Sequence, residues 1–433
     1  FYTVGIEEVS SGTSPPSAIS NLSAISGDSE VVLIWSAPPD GGSPITDYII
    51  EFKQSTSSIF SVFSDGISTS TTTTVTGLSN GISYDFRVSA VNAIGQGPPS
   101  NAVTEIPNPS CPPDWVDCNW QFRKQITIDR TKIAATLTNF PVLVSITDSN
   151  LLASAQADGD DILFTSADGT TKLSHEIESW NDTPGKLVAW VKVPNLSSIS
   201  NTVLYMYYGN AAAANQENVA GTWRSEYKAV YHLHDDVNDS TANNNDCTNE
   251  GSTNVAGRVA DAQEFDGIDD IIRCGSDVSI DDVWIGGGTM SVWLEADSRG
   301  EGNIGRVFHK YVNMDYIAGE SGGATRLAFQ TQFTGGFGVW RMNSFPITYN
   351  NWHLLHQTYN SNSAANDAAF WVNAVSQAVT EPNTPSGTYM GDASNNLNIG
   401  NTDNTARTWD GKIDEFRIYD GTLSAGWIST EYN

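Results

Sequence analysis

Tyr84-Asp85-Phe86-Arg87-Val88-Ser89-Ala90, inside the longer run Ile82 to Val91, is the stretch that decides the fold class. Its alternation has the period of a strand, with Tyr84, Phe86, Val88 and Ala90 on one face and Asp85, Arg87 and Ser89 on the other. Working outward, Val31 to Trp35 reads as a second strand, stopped by Ala37-Pro38-Pro39-Asp40-Gly41-Gly42, and Ile45 to Phe52 as a third. Thr71 to Val75 leads into Gly77-Leu78. Short apolar runs broken by turn residues at regular intervals predict a β-sandwich.

The rest of the chain keeps this character. A length of 433 residues suits about three domains, each with its own core. Thirteen Trp, fifteen Tyr and sixteen Phe supply large apolar anchors. Ser, Thr, Asn and Gly abound, and helix-forming Leu/Ala/Glu/Lys stretches are missing, which favours strands. Fifty acidic residues against twenty-one basic ones leave a charge of −29, so nucleic acid and anionic lipid are excluded as partners. The charge serves solubility or, at some carboxylates, calcium. No run of about 18 apolar residues is present to span a membrane. No charged-then-apolar leader opens the chain, so export places residue 1 at a mature end. Cys111 lies near Cys118 and Cys247 near Cys274, which suits two disulfides in an oxidising compartment. Sequons begin at Asn21, Asn181, Asn195 and Asn238 and mark candidate glycosylation sites.

Residues 15–107 resemble a fibronectin type III domain through Trp35, Tyr48, Gly77-Leu78, Tyr84 to Val88, and the loop from Ala90-Val91-Asn92 to Gly95-Gln96-Gly97. The resemblance implies that Tyr84 is the corner tyrosine, its hydroxyl bonded back to the chain. Arg-Gly-Asp is absent, so it implies a spacer role and no integrin site. Residues 108–118 are a Pro- and Cys-rich linker. Residues 119–212 carry further strands, among them Gln125 to Asp129, Phe140 to Val144 and Leu187 to Val191. Trp120 to Lys124, Asn139-Phe140-Pro141-Val142, Asp158 to Ile162 and Tyr205 to Asn210 resemble an uncharacterised β-domain that often precedes a jelly roll in prokaryotic surface proteins. That family lends no chemistry.

Residues 225–433 carry Phe265 to Ile272, Met290 to Leu294, Trp352 to Leu355, Phe370 to Asn373, Leu397 to Gly400 and Asp410 to Tyr419, with Leu423-Ser424 and Trp427-Ile428 as a tail. In this order they resemble a laminin-G-like or concanavalin-like jelly roll. Such domains hold calcium, bind glycans, or do neither. The loop Asp239 to Asp246 resembles the Asp/Asn-rich loop near the metal, and Asp239, Asn243 and Asn245, with Asp414 from the closing strand, are the candidate ligands of a structural calcium ion. Calcium takes about six to eight oxygens. The alternative is an Asx-turn loop whose side chains bond their own backbone.

Catalytic signatures are absent: no GxSxG elbow, P-loop or dinucleotide fingerprint occurs. Glu176 and Glu178, two apart on a strand, share a face, but no further acid completes a glycosidase signature. His232 and His234, and His353 and His356, lack a third spaced ligand, which excludes zinc at this level. The remaining segment, residues 1–14, is an N-terminal arm in which Tyr2, Val4 and Ile6 alternate with Thr3 and Gly5. A lone strand needs a partner. It either folds back or adds to a second copy as a donor strand, which repeated head-to-tail makes a filament.

The expected fold is therefore all-β: a fibronectin type III sandwich, a central β-domain and a laminin-G-like jelly roll behind an N-terminal β-strand arm. The expected function is that of a non-catalytic, secreted, extracellular or cell-surface structural and adhesive protein whose partner is itself, a homopolymer in a surface filament or layer. The alternative is a monomeric lectin-like protein that binds glycans or surface polymers through residues 295–350, with Trp340, Tyr311 and Tyr316 as stacking candidates.

Overall fold

The computed structural model describes residues 12–108, 112–311, 313–319, 325–393 and 395–433; for 313–319 only the backbone is described. The chain divides into two compact units, Phe1–Cys118 and Asn119–Asn433.

In the first unit, strands Ser23–Gly27, Glu30–Ile34 and Thr72–Thr76 form one sheet. Ser61–Phe63, Ile45–Gln54 and Tyr84–Asn92 form the other, with Gly95–Gln96 and Val103–Glu105 both on the Tyr84 strand. The alternation that marks Tyr84–Asn92 as a strand also builds the core: Tyr84, Phe86, Val88 and Ala90 are buried with Trp35, Tyr48 and Val31. On the opposite face Arg87 reaches Glu51 and Lys53 reaches Asp85, each at 2.8 Å. The Tyr84 hydroxyl accepts from the Ser79 backbone N–H at 3.2 Å, tying the strand to the turn before it. Tyr84→Phe is expected to cost about 1 kcal/mol through loss of that bond, measured by urea unfolding of residues 12–108.

The second unit begins with two small sheets. Leu137–Thr147, Lys186–Leu196 and His175–Asn181 make one; Lys172–Leu173, Leu163–Ser166, Thr202–Tyr208 and Phe122–Ile128 make the other. Two eight-stranded sheets follow and face each other as a jelly roll. Between them lie Trp284, Phe308, Phe329, Trp340, Tyr359 and Phe416, which form the largest core. Asp410–Asp420 is central to one sheet, pairing with Tyr227–Tyr231, Asp261–Asp266 and Gly288–Ala296.

The middle sheets and the jelly roll share a second apolar core. Trp223, Tyr227 and Val230, with Trp427 and Ile428 of the C-terminal helix Ala425–Tyr432, pack into the cluster of Phe140, Leu187, Trp190 and Leu204. The rings of Phe140 and Trp427 lie 4.8 Å apart. Continuous burial of this kind makes Asn119–Asn433 one cooperative body.

Candidate functional site

Two strands depart from regular pairing at acidic residues. In His175–Asn181 the register against Lys186–Leu196 shifts between Ile177 and Ser179, leaving Glu178 as the extra residue. In Asp410–Asp420 the register against Gly288–Ala296 shifts where Asp414 to Arg417 oppose Trp293 to Ser291, and Glu415 there has φ +54°. A left-handed backbone is costly for a non-glycine residue, and bulges re-aim side chains. The third contributor, His232, follows the strand Tyr227–Tyr231 and precedes Leu233, also left-handed at φ +56°. Together these irregularities bring one ligand-type atom each of Glu178, His232 and Glu415 within 4.8 Å of one another.

His232 Nδ1 lies 2.7 Å from Glu415 Oε1 and 3.6 Å from Glu178 Oε2, and its Nε2 lies 3.3 Å from Glu176 Oε2. Outer groups hold the carboxylates in place. Trp190 Nε1 donates to Glu178 Oε2 at 2.7 Å, and Trp223 Nε1 to Glu176 Oε2 at 2.6 Å. Ser240 Oγ donates to Glu176 Oε1 at 2.6 Å. Arg417 bonds the other oxygen of Glu415 and reaches Glu431 Oε1 at 2.9 Å, and His356 Nε2 meets Glu431 Oε2 at 3.0 Å. The guanidinium stands over Trp190 and Trp223, 4.3 and 5.1 Å from the ring centres.

Burial sets the charge state. Removal from water, and then the Glu415 carboxylate, push Glu178 up to about 8, so it is a neutral acid at pH 7. Asp414 is raised for the same two reasons. Burial would also raise Glu415, but His232 and Arg417 hold it below the usual carboxylate range; Glu431 is held down by His356 and Arg417 against the same burial. Burial would lower His232, yet chiefly Glu415 and Glu176 carry it well above the usual imidazole value. The cluster thus sets charged Glu415 and Glu431 against His232 and Arg417, with Glu178 neutral at pH 7. It borders a cavity of about 210 Å³ whose other walls include Asp235, Asp236, Asn238 and Asp239.

The residues singled out by sequence lie elsewhere. Asp239 is buried and closes its own loop: Oδ1 accepts from Val230 and Thr241 N–H at 3.0 Å, and Oδ2 accepts from Asn245 N–H at 2.9 Å. Asn243 and Asn245 donate their amides to Lys228 O at 3.0 and 2.9 Å. Asp414 accepts from Arg258 and Val259 N–H at 2.7 and 2.8 Å, so it shares no hydrogen-bond partner with that loop among the described residues. Cys247 and Cys274 are joined. Cys118 is disulfide-bonded, and its expected partner Cys111 lies outside the described residues, as do Tyr2, Val4 and Ile6. Asn21, Asn181, Asn195 and Asn238 are all exposed. Of the stacking candidates, Trp340 is wholly buried in the core and Tyr311 is exposed, while the Tyr316 side chain is outside the described set. The Glu178–His232–Glu415 convergence escapes a search by spacing, because its members are far apart in the chain.

The fibronectin type III family model matches residues 14–106, the Domain of unknown function (DUF2341) model residues 158–250, and the Concanavalin A-like lectin/glucanases superfamily model residues 266–429. The second match contains Glu176, Glu178 and His232 and runs into the first strands of the jelly roll. Among curated relatives, human Protein sidekick-1 is 37% identical over 107 residues, covering 24% of this chain and 5% of that protein. Chicken fast-type Myosin-binding protein C is 40% identical over 87 residues, 20% of this chain and 8% of its own length. The chain therefore spans under a tenth of these relatives. Among solved structures, the binding domain of Paraclostridial Mosquitocidal Protein 1 aligns at TM-score 0.39 and 16% identity over 48% of this chain and 52% of that one. Domain 4 of AbnA, a GH43 extracellular arabinanase from Geobacillus stearothermophilus in complex with arabinotriose, aligns at TM-score 0.35 and 16% identity over 48% and 98%. The chain is thus an all-β protein carrying, in order, a fibronectin type III domain, a DUF2341 domain and a concanavalin A-like domain.

Proposed function

We propose that this protein is a non-catalytic extracellular structural and adhesive subunit. It assembles with copies of itself by adding the arm of Tyr2, Val4 and Ile6 to the fibronectin-type domain of a neighbour. The observation that carries this reading is the edge strand Ser61–Phe63, which pairs only with Ile45–Gln54 among the described strands. Phe63 packs inward on Phe52, whereas Val62 is 64% exposed, flanked by Ile59 at 74% and Ile67 at 87%. An apolar edge with no second partner among the described strands is a template for another strand, and an alternating apolar segment is the matching donor.

Negative-stain microscopy of the purified chain should show polymers. Deleting residues 1–10, or placing a charge on the edge with Val62→Lys, should abolish them while the circular dichroism spectrum is unchanged. Polymers that persist in both variants overturn the assembly.

A lectin-like role is the second reading. It is favoured by a cavity of about 510 Å³ in the second unit, lined in part by Trp293, Tyr432, Arg258 and Glu431. Aromatic faces beside a few charged groups suit a small polar ligand such as a sugar. Glycan-array binding by the residue 1–10 deletion, lost on Trp293→Ala, tests it.

A further inference from the structure

We infer that Glu178, His232 and Glu415 form a binding site for one divalent transition-metal ion, zinc by the character of the donors, where the middle strands meet the jelly roll. The inference is independent of the assembly and lectin readings.

One imidazole nitrogen and two carboxylates converge from three separate strands or strand ends, all within 4.8 Å. Zinc bound to nitrogen and oxygen at about 2.0–2.2 Å holds tetrahedral donors about 3.4 Å apart. His232 Nδ1 stands 2.7 Å from Glu415 Oε1, and 3.6 Å from Glu178 Oε2, the oxygen that Trp190 holds, so Oε1 is the Glu178 atom left for an ion. Ligation by both His232 Nδ1 and Glu415 Oε1 requires the 2.7 Å contact between them to open around the ion. A set that includes imidazole and only two carboxylates suits zinc and its neighbours better than calcium, which wants about six to eight oxygens.

A second observation points to a ligand independently of the clustering. The Glu178 side chain is 1% exposed, and its Oε1 is buried without a hydrogen-bond partner. The Glu178 carboxyl lies against that of Glu415, and a cation between them would take the place of the proton they otherwise share.

The surroundings are those of a supported metal site. Trp190 fixes the remaining oxygen of Glu178, and Arg417 that of Glu415, as outer partners fix ligands elsewhere. Glu178 and His232 border the cavity of about 210 Å³, whose wall of Asp235, Asp236 and Asp239 attracts cations inward. An ion held there joins a ligand of the middle strands to two of the jelly roll, and binding to the folded state stabilises the joined unit.

The test is equilibrium dialysis of the intact chain, stripped with EDTA, against Co²⁺ and then Zn²⁺. One Co²⁺ per chain with visible d–d absorption, displaced by Zn²⁺, is expected. His232→Gln and Glu178→Gln should each weaken binding about 100-fold or more, since loss of even an outer partner costs 10–100-fold. His234→Gln, at the half-buried neighbour that points to Asp235, should leave binding unchanged. Gln keeps the shape of a neutral Glu178 and still accepts from Trp190, so this variant separates ligation from folding, as near-ultraviolet circular dichroism will verify. Wild-type chain that takes up Co²⁺ no more tightly than His232→Gln overturns the site, as does binding that follows His234.

Discussion

Arg417→Met is expected to lower the unfolding free energy of the Asn119–Asn433 unit by roughly 3–5 kcal/mol, the range for removing one partner of a buried ion pair. The arginine is 3% exposed and bonds both Glu415 and Glu431, which are 2% and 9% exposed, the latter by side chain. Methionine fills much of the space over Trp190 and Trp223 but leaves two buried carboxylates with only the histidines opposite them. The pH dependence has a definite sign. Arg417 depresses the folded-state values of both carboxyls. Its contribution is therefore present above the unfolded carboxyl value of about 4.3 and is lost as pH falls through the depressed values. The gap between wild type and variant should be widest near neutrality and shrink below about pH 4. Urea unfolding at several pH values, with EDTA present, measures it. A gap under about 1 kcal/mol at pH 7 would mean that water reaches the pair.

The same cluster shows where sequence reading stops. Alternation revealed Tyr84–Asn92 because burial of one face imposes period two on the residues themselves. The domain order was legible for a like reason: each domain repeats its own apolar pattern and turn residues over a continuous stretch. Glu178 and Glu415 obey no such pattern. Each sits at a register shift, and a bulge is a property of the pairing between strands rather than of either strand alone. Asp414 looked like the natural donor of its strand; its Oδ2 accepts from two backbone N–H groups, and it is the adjacent Glu415 that meets His232. His232 and His234 show no third spaced ligand in the sequence, because the groups that meet His232 lie far from it along the chain. The partners come from residues 178 and 415, brought in by a shared core whose existence no local pattern announces. Trp340 erred the other way: a large aromatic in a lectin-like domain suggests stacking on sugar, but its 0% exposure and its contact with Tyr359 at 4.8 Å make it core.

Removing the Cys247–Cys274 bridge is the other change of large expected effect. The bridge closes a segment with a sequence separation of 27. That segment is not local in space. Thr248–Glu250 and Ile271–Gly275 at its ends belong to one jelly-roll sheet, whereas the hairpin Thr253–Ala256 and Asp261–Asp266 between them belongs to the facing sheet. Thr248 already pairs with Arg273, so the bridge lies beside an existing ladder and fixes the point from which the hairpin departs. Constraining the unfolded chain over a loop of this length contributes about 3–4 kcal/mol. Cys247→Ser/Cys274→Ser should lose that amount in urea unfolding, and wild type in dithiothreitol should match the double variant. Cys274 is also 5% exposed in the main core, so placing a hydroxyl there adds a small further penalty. Cys247→Ala/Cys274→Ala separates the two contributions: it removes the cross-link without burying a hydroxyl, and a loss under about 1 kcal/mol in that variant would show that the sheets hold the hairpin unaided.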